Sequence, residues 1–336
     1  MFEILSIGTQ YFIYKRLKNK FARFIFVTWA VVWIVLGLIA GFDIMHAEYD
    51  IMPLRTAEIL RSISLTWTII TIFAFFSFLV LKNVFAATLL TIILTIYSMS
   101  EAYFVTPRII SIKSPKIPEN IKIAFITDAH IGGLSTYWHF ERVMKIVNDF
   151  KPDILMLGGD VIDGDMSYRK KELNLLSEAA KNSRYGAFAV NGNHEHYLIL
   201  DEDVEGVIRE CGFNLLINER VETAGITIIG LDDTQNGWLK PFLKPEDKNK
   251  FVLILKHRPG LPFDSENKFD LQLSGHTHGG QFWPLGYFKN MVAKSTQGLS
   301  QKNGGYVYVS NGSGFNGAMM RLFVPPEVTI INLVKE

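Results

Sequence analysis

The octapeptide Ser274-Gly275-His276-Thr277-His278-Gly279-Gly280-Gln281 sets two imidazoles two residues apart among glycines, directly after the apolar run 269–273. That pattern predicts a strand ending in a loop tight enough to aim both rings at one point. Four more strand-like runs end in the same way, in Asp128-Ala129-His130, Gly159-Asp160, Gly192-Asn193-His194-Glu195 and Lys256-His257. Five of the eight histidines of the chain fall in these places. In α/β folds ligands sit beyond the carboxyl ends of strands, so the five loops are expected to meet at one edge. Carboxylate, amide and imidazole donors together suit Mn, Fe or Zn better than Ca, which takes oxygen ligands only. The strand ends carry Asp128 and His130, Asp160, Asn193 and His194, His257, and His276 and His278, and seven ligands are too many for one tetrahedral ion. They suffice for two ions if one carboxylate is shared. Two such ions about 3.5–4 Å apart bind a phosphoryl oxygen, acidify a bridging water and stabilise in-line attack.

The elements that must carry these loops alternate. Strands are predicted at 121–127, 153–157, 185–190, 226–231, 251–255, 269–273, 306–310 and 328–334, with helices at 138–150, 169–183 and 202–211. Helices between early strands, and mostly strands late, predict an α/β domain of packed sheets flanked by helices. The single Cys211 excludes an internal disulfide framework and reads as a packed, inert thiol. A net charge of +1, with no Lys/Arg-rich track, gives no reason to expect a nucleic-acid partner.

Apolar residues make up 49% of the chain, and the excess lies in its first hundred residues. Three uncharged runs, about 24–42, 62–81 and 83–102 apart from Glu101 at the edge of the last, each approach the roughly 20 residues needed to span the bilayer. They predict a three-helix anchor over 1–105, with Lys82-Asn83 as a hairpin. No ionisable residue lies within their apolar centres, which argues for an anchor rather than a pump. Lys15, Arg16, Lys18, Lys20 and Arg23 before the first run predict a cytoplasmic N-terminus, and three spans then put the C-terminal domain outside. Arg108, Lys113, Lys116 and Lys122 compete for the same side, so the side stays open with a lean outward. Pro107, Pro115 and Pro118 predict a stiff, extended linker at 106–120, followed by a soluble domain at 121–336.

In order and spacing, D-x-H, G-D-x-x-D, G-N-H-E, K-H and G-H-T-H-G-G-Q resemble the calcineurin-like metallophosphoesterase superfamily. Residues 273–281 and Pro325-Pro326-Glu327 are similar to the signatures of the YkuE-type bacterial phosphohydrolases. The resemblance runs from about residue 121 to the C-terminus and implies a four-layer sandwich, two β-sheets between helices. It implies one metal ion on Asp128, His130 and His278, a second on Asn193, His257 and His276, and Asp160 bridging them. It also implies attack by a metal-bridging hydroxide on a phosphoester or pyrophosphate, with His194 as general acid and Asp163 orienting it. Manganese is the expected ion, with Fe or Zn as alternatives. The anchor points to a bacterial inner membrane and to an amphiphilic substrate, such as the lipid-linked pyrophosphate UDP-2,3-diacylglucosamine, which demands a cytoplasmic site. An outward site would instead suit envelope phosphodiesters or phosphomonoesters. A catalytically inactive metal-binding scaffold is the rival class.

Each residue has a plainer reading beside this one. Asp128 could cap a turn, Asn193 could be a turn residue, and Asp163 could be solvated. His139 and His196 read as surface or packing residues, and Glu195 as a cap on nearby amides. Arg258 could contact substrate or solvent. Phe315, Met319 and Met320 could line a lipid groove or fill the core beneath it, and Arg321 has no assigned role.

Overall fold

The computed structural model describes residues 9–15, 20–45, 54–81, 83–132, 135–163, 166, 169–198, 203–233, 239–266, 268–284 and 297–336. Short runs such as Ile121–Ile126 and Ile154–Leu157 are apolar almost throughout, a pattern that suits strands covered on both faces. They become strands β2 and β3 of a six-stranded sheet. Its other members are β1 (Thr106–Ser114), β4 (Ala187–Ala189), β5 (Asn214–Leu215) and β12 (Glu327–Lys335), in the order β1-β12-β2-β3-β4-β5. The second six-stranded sheet holds β6 (Glu219–Thr223), β7 (Ile226–Leu231), β8 (Phe251–Lys256), β9 (Leu271–Ser274), β10 (Gly298–Lys302) and β11 (Gly305–Val309), ordered β10-β11-β9-β8-β7-β6. In both sheets the strands that end in candidate donors run parallel, so their carboxyl ends share one edge.

The sheets meet through Phe125, Met156 and Phe188 on one side and Leu253, Leu255, Leu271 and Leu273 on the other. Glu327 ties them at the site end, its carboxylate accepting from Tyr308 Oη (2.6 Å) and Ser310 Oγ (3.0 Å). Outside the first sheet lie three amphipathic helices, whose labels follow chain order after α1–α3 at the N-terminal side: α4 (Tyr137–Phe150), α5 (Lys170–Asn182) and α6 (Val204–Glu210). On α4, Phe140, Val143, Met144 and Val147 recur at helical spacing and are all buried. The second sheet has a thinner cover, with Leu239, Phe242, Leu243 and Leu261 over Ile229, Ile254, Phe269 and Val309.

N-terminal to the sheets are α1 (Lys20–Met45), α2 (Leu54–Val80) and α3 (Val84–Tyr103). Among the described residues two helices are long and apolar enough to cross a membrane, Thr56–Val80 and Val84–Tyr103, against the three expected. The run 24–42 lies within α1, whose apolar part Phe26–Ala40 is shorter. Asn83 starts α3 by accepting from Ala86 N–H, while Lys82 lies outside the described residues.

The linker expected at 106–120 is corrected in part. The segment is extended, but residues Thr106–Ser114 pair in parallel with β12 along nine register positions. Pro107 is tolerated because β1 is an edge strand. Ile112 and Ile117 are buried in the core between the sheets. Only Phe104 and Val105 separate the last helical residue of α3 from the first strand.

Candidate metal centre

The chain turns abruptly at five of the seven donors. Asp128 (φ 53°), His130 (φ 46°), Asp160 (φ 50°), His276 (φ 68°) and His278 (φ 50°) all have left-handed backbones. Such conformations cost side-chain-bearing residues on the order of 1–3 kcal/mol each and persist only where surrounding contacts impose them. Glycines make the room: a Cβ on Gly275 would collide with Asp128 Oδ2 and Thr127 Oγ1, and one on Gly192 with Asp160 Oδ1.

Two groups result. Ligand atoms of Asp128, His130 and His278 lie within 4.8 Å of one another, and so do those of Asp160, His257 and His276. Asp160 also groups with His130 and His194, so it stands between the two. Asn193 sits beside Asp160, because the next residue donates its backbone N–H to Asp160 Oδ1 at 2.8 Å. The six acid and imidazole donors therefore meet, with the backbone of Asn193 beside them.

Hydrogen bonds on the far side of the rings fix which nitrogen faces inward. His257 donates Nδ1–H to Gly158 O (2.8 Å), and its Nε2 lies 3.1 Å from Asp160 Oδ2 without the alignment of a hydrogen bond. His130 donates Nδ1–H to Asp163 Oδ2 (2.8 Å), turning its Nε2 toward His278 Nε2 at 3.0 Å. His278 Nε2 is also 3.2 Å from Asp128 Oδ1. Imidazoles oriented in this way are preset for a cation. Asn193 Oδ1 is buried with no hydrogen-bond partner, a costly state that a bound cation would relieve. The residues fit a metal.

Asp163 bridges two histidines, accepting from His130 at one oxygen and from His194 Nδ1 at the other (2.6 Å). Burial alone would raise its pKa, but His130 and His194 hold it well below the usual carboxylate range. For His194 burial pulls downward, and Asp163, Asp160 and Glu195 outweigh it to bring the pKa to about 9. Burial likewise disfavours charge on His257, yet Asp160 and Asp128 raise it to about 10. Without metal the anionic centre thus binds protons that a divalent cation would displace.

Glu195 is fully buried and accepts from the backbone N–H groups of Asp160 (2.8 Å), Val161 (2.8 Å), Ile162 (3.2 Å) and Gly192 (2.8 Å). It clamps the β3 and β4 loops together, the amide-capping role its position predicted. Glu195→Ala orphans these donors and is expected to destabilise the fold by about 3 kcal/mol or more, with Glu195→Gln recovering part. The midpoint of thermal unfolding in detergent measures both. His139 is a packing residue, donating Nε2–H to Ser313 O (2.8 Å), and burial lowers its pKa to about 4. His196 pairs with Asp232 (2.9 Å).

Several neighbours escaped the sequence reading. Asp233 follows β7 and pairs with Arg258 Nε at 3.1 Å, next to His257. The signal for it was available, since β7 ends at the same sheet edge as the other donors. Fully buried Arg321 donates to Gly314 O (2.9 Å), Asn311 O (2.8 Å) and Val324 O (3.1 Å) and lies 3.3 Å from His278 Nδ1. Asn316 Nδ2 stands 3.4 Å from His194 Nε2. Phe315 and Met320 are core, the first against Tyr103 and His139, the second against α2, and Met319 is half-buried.

Two mixed sheets thus carry a buried histidine–aspartate centre at their common edge. Residues 121–280 match the family model for calcineurin-like phosphoesterases. An uncharacterized metallophosphoesterase of Aquifex aeolicus is 35% identical over 259 residues, covering 73% of this chain and 97% of its own length. The metallophosphoesterase YkuE of Bacillus subtilis is 27% identical over 239 residues, 66% of this chain and 83% of the relative. A Danio rerio protein named as a transmembrane protein with a metallophosphoesterase domain is 27% identical over 276 residues, 74% of this chain and 62% of that protein. The chain belongs to the calcineurin-like metallophosphoesterase family and is a metal-dependent phosphoester hydrolase. Membership implies two divalent ions, and the apolar helices together with relatives named as transmembrane suggest membrane association.

Proposed function

We propose a membrane-anchored dinuclear phosphoesterase in which residues 1–105 form the anchor and the C-terminal domain hydrolyses a phosphoester or pyrophosphate carried by an amphiphile. The observation that carries this reading is the buried convergence of three Nε2 atoms with the carboxylates of Asp128 and Asp160. Asp128, His130 and His278 would hold one ion, Asn193, His257 and His276 the other, with Asp160 shared. Two divalent cations, manganese foremost with Fe or Zn as alternatives, supply Lewis acidity and a water of lowered pKa.

The chain's own groups do the rest. Asp163 keeps the His194 ring aligned through Nδ1, leaving Nε2 to pass its proton to the departing oxygen. Glu195 fixes the backbone from which Asp160 and Asn193 project. A lipid-linked substrate of the UDP-2,3-diacylglucosamine kind fits a site beside membrane helices on the cytoplasmic face; envelope phosphodiesters fit the opposite face. The test uses the full chain in detergent. Loaded with manganese it is expected to carry two ions per chain and to cleave a generic aryl phosphodiester or phosphomonoester, and chelation should abolish both. Stoichiometric metal without hydrolysis of either ester would favour a binding scaffold instead.

A further inference from the structure

Beside His278 two short segments pair. Phe282 and Leu322 form a parallel bridge, Trp283 N–H donates to Leu322 O (2.9 Å), and Leu322 N–H donates to Gln281 O (3.0 Å). Side chains alternate across this pair. Phe282 and Leu322 turn inward with Met320 and Ala318 onto Ile69 and Phe73 of α2. Trp283 and Phe323 turn outward and remain 60% and 57% exposed. Phe323 does so from a left-handed backbone (φ 56°), which a bulky aromatic adopts only under constraint. Its ring lies 5.3 Å from Tyr97 of α3 and 6.4 Å from Trp283, so three aromatics line up at the surface.

The line is continuous with α3. Leu89, Ile92, Ile93 and Ile96 are exposed at helical spacing and lead directly to Tyr97, itself 41% exposed. The exposed apolar run of α3 stops at Ile96, and the polar Ser98, Ser100 and Glu101 follow in its last two turns. Tyr97 therefore marks the level at which acyl chains give way to head groups, where Trp and Tyr concentrate. Backbone bonds hold the height. Arg321 N–H donates to Ser98 O of α3 (2.9 Å), and Met319 N–H to Thr66 Oγ1 of α2 (3.3 Å).

We infer that Trp283, Phe323 and Tyr97 form a rim seated in the lipid bilayer, which sets the mouth of the metal centre at head-group level and selects phosphoesters borne by membrane lipids. This rests on the membrane-anchored reading proposed above. The contact to the chemistry is short, since Arg321 lies beside His278 and Gln281 follows it by three residues.

The test places a label in the rim. The full chain carrying Cys211→Ser and Phe323→Cys is derivatised with an environment-sensitive fluorophore and reconstituted in phosphatidylcholine–phosphatidylglycerol vesicles. Emission is expected to shift to the blue and to lose roughly half its intensity to a nitroxide at the glycerol end of the acyl chain. The same label at Gln301, at the far end of β10, should show neither effect. A Phe323 label shielded from iodide yet untouched by lipid nitroxide would mean that protein covers the rim, and would overturn the inference, as would full accessibility to iodide. A second arm combines Trp283→Ser with Phe323→Asn. KM for a vesicle-borne phosphoester should rise about tenfold, with kcat on a soluble aryl phosphodiester in detergent within about twofold. An unchanged KM would remove the substrate selection. Quenching is read without metal, so a failure of hydrolysis would count against the phosphoesterase reading and not against the rim.

Discussion

His194→Ala is expected to lower turnover on a phosphodiester with an alkoxide-like leaving group by about 10²–10⁴-fold, the usual contribution of a positioned general acid. Both metal ions should stay bound. His194 shares a third candidate group with His130 and Asp160, but its Nδ1 is taken by Asp163, and the proposed function gives it the proton transfer and not a metal. The leaving group supplies the control. A nitrophenolate departs without protonation, so the deficit should shrink on a nitrophenyl ester. An equal loss on both esters would point to a disturbed metal centre and remove the acid role. Metal content per chain, measured after gel filtration, separates the two outcomes.

Asp160→Asn is expected to weaken both ions together, by at least about a hundredfold in affinity, since even changes to groups behind the ligands cost 10–100-fold. The reason is placement. One oxygen lies 2.8 Å from His194 N, and the other 3.1 Å from His257 Nε2. Asparagine tolerates the left-handed backbone at this position (φ 50°), so the loop should keep its course. Titration calorimetry with manganese reads the result. Loss of a single ion would show that Asp160 serves one site only and is not shared.

The gathering of the donors was legible because each follows an apolar run. Short apolar runs such as those of β2, β3 and β8, rich in Ile, Leu, Val and Phe and closely followed by Gly, Asp or His, read as strands, and the residues after each strand end are then candidates. The rest was hidden for identifiable reasons. β1 carries a proline, an arginine, a lysine and two serines and is largely exposed, so nothing in its pattern sets it apart from a linker. Its pairing with β12, more than two hundred residues away, is visible only in three dimensions. β5 is two residues long and has no periodicity to read. Arg321 defeats the expectation that arginines face water, because its partners are backbone carbonyls, which carry no letter in the sequence. Asn316 reaches His194 across 122 positions, and its place among glycines gave no hint of that.

The two-residue junction between α3 and β1 leaves the catalytic domain almost no freedom to swivel on its helices. A tethered enzyme samples many angles and waits for the right one, whereas this chain would meet every lipid at a fixed tilt. On the membrane-anchored function proposed above, encounter would be a two-dimensional search with the angle of approach settled beforehand. Such an arrangement would fix the face from which a bilayer-held phosphorus is attacked.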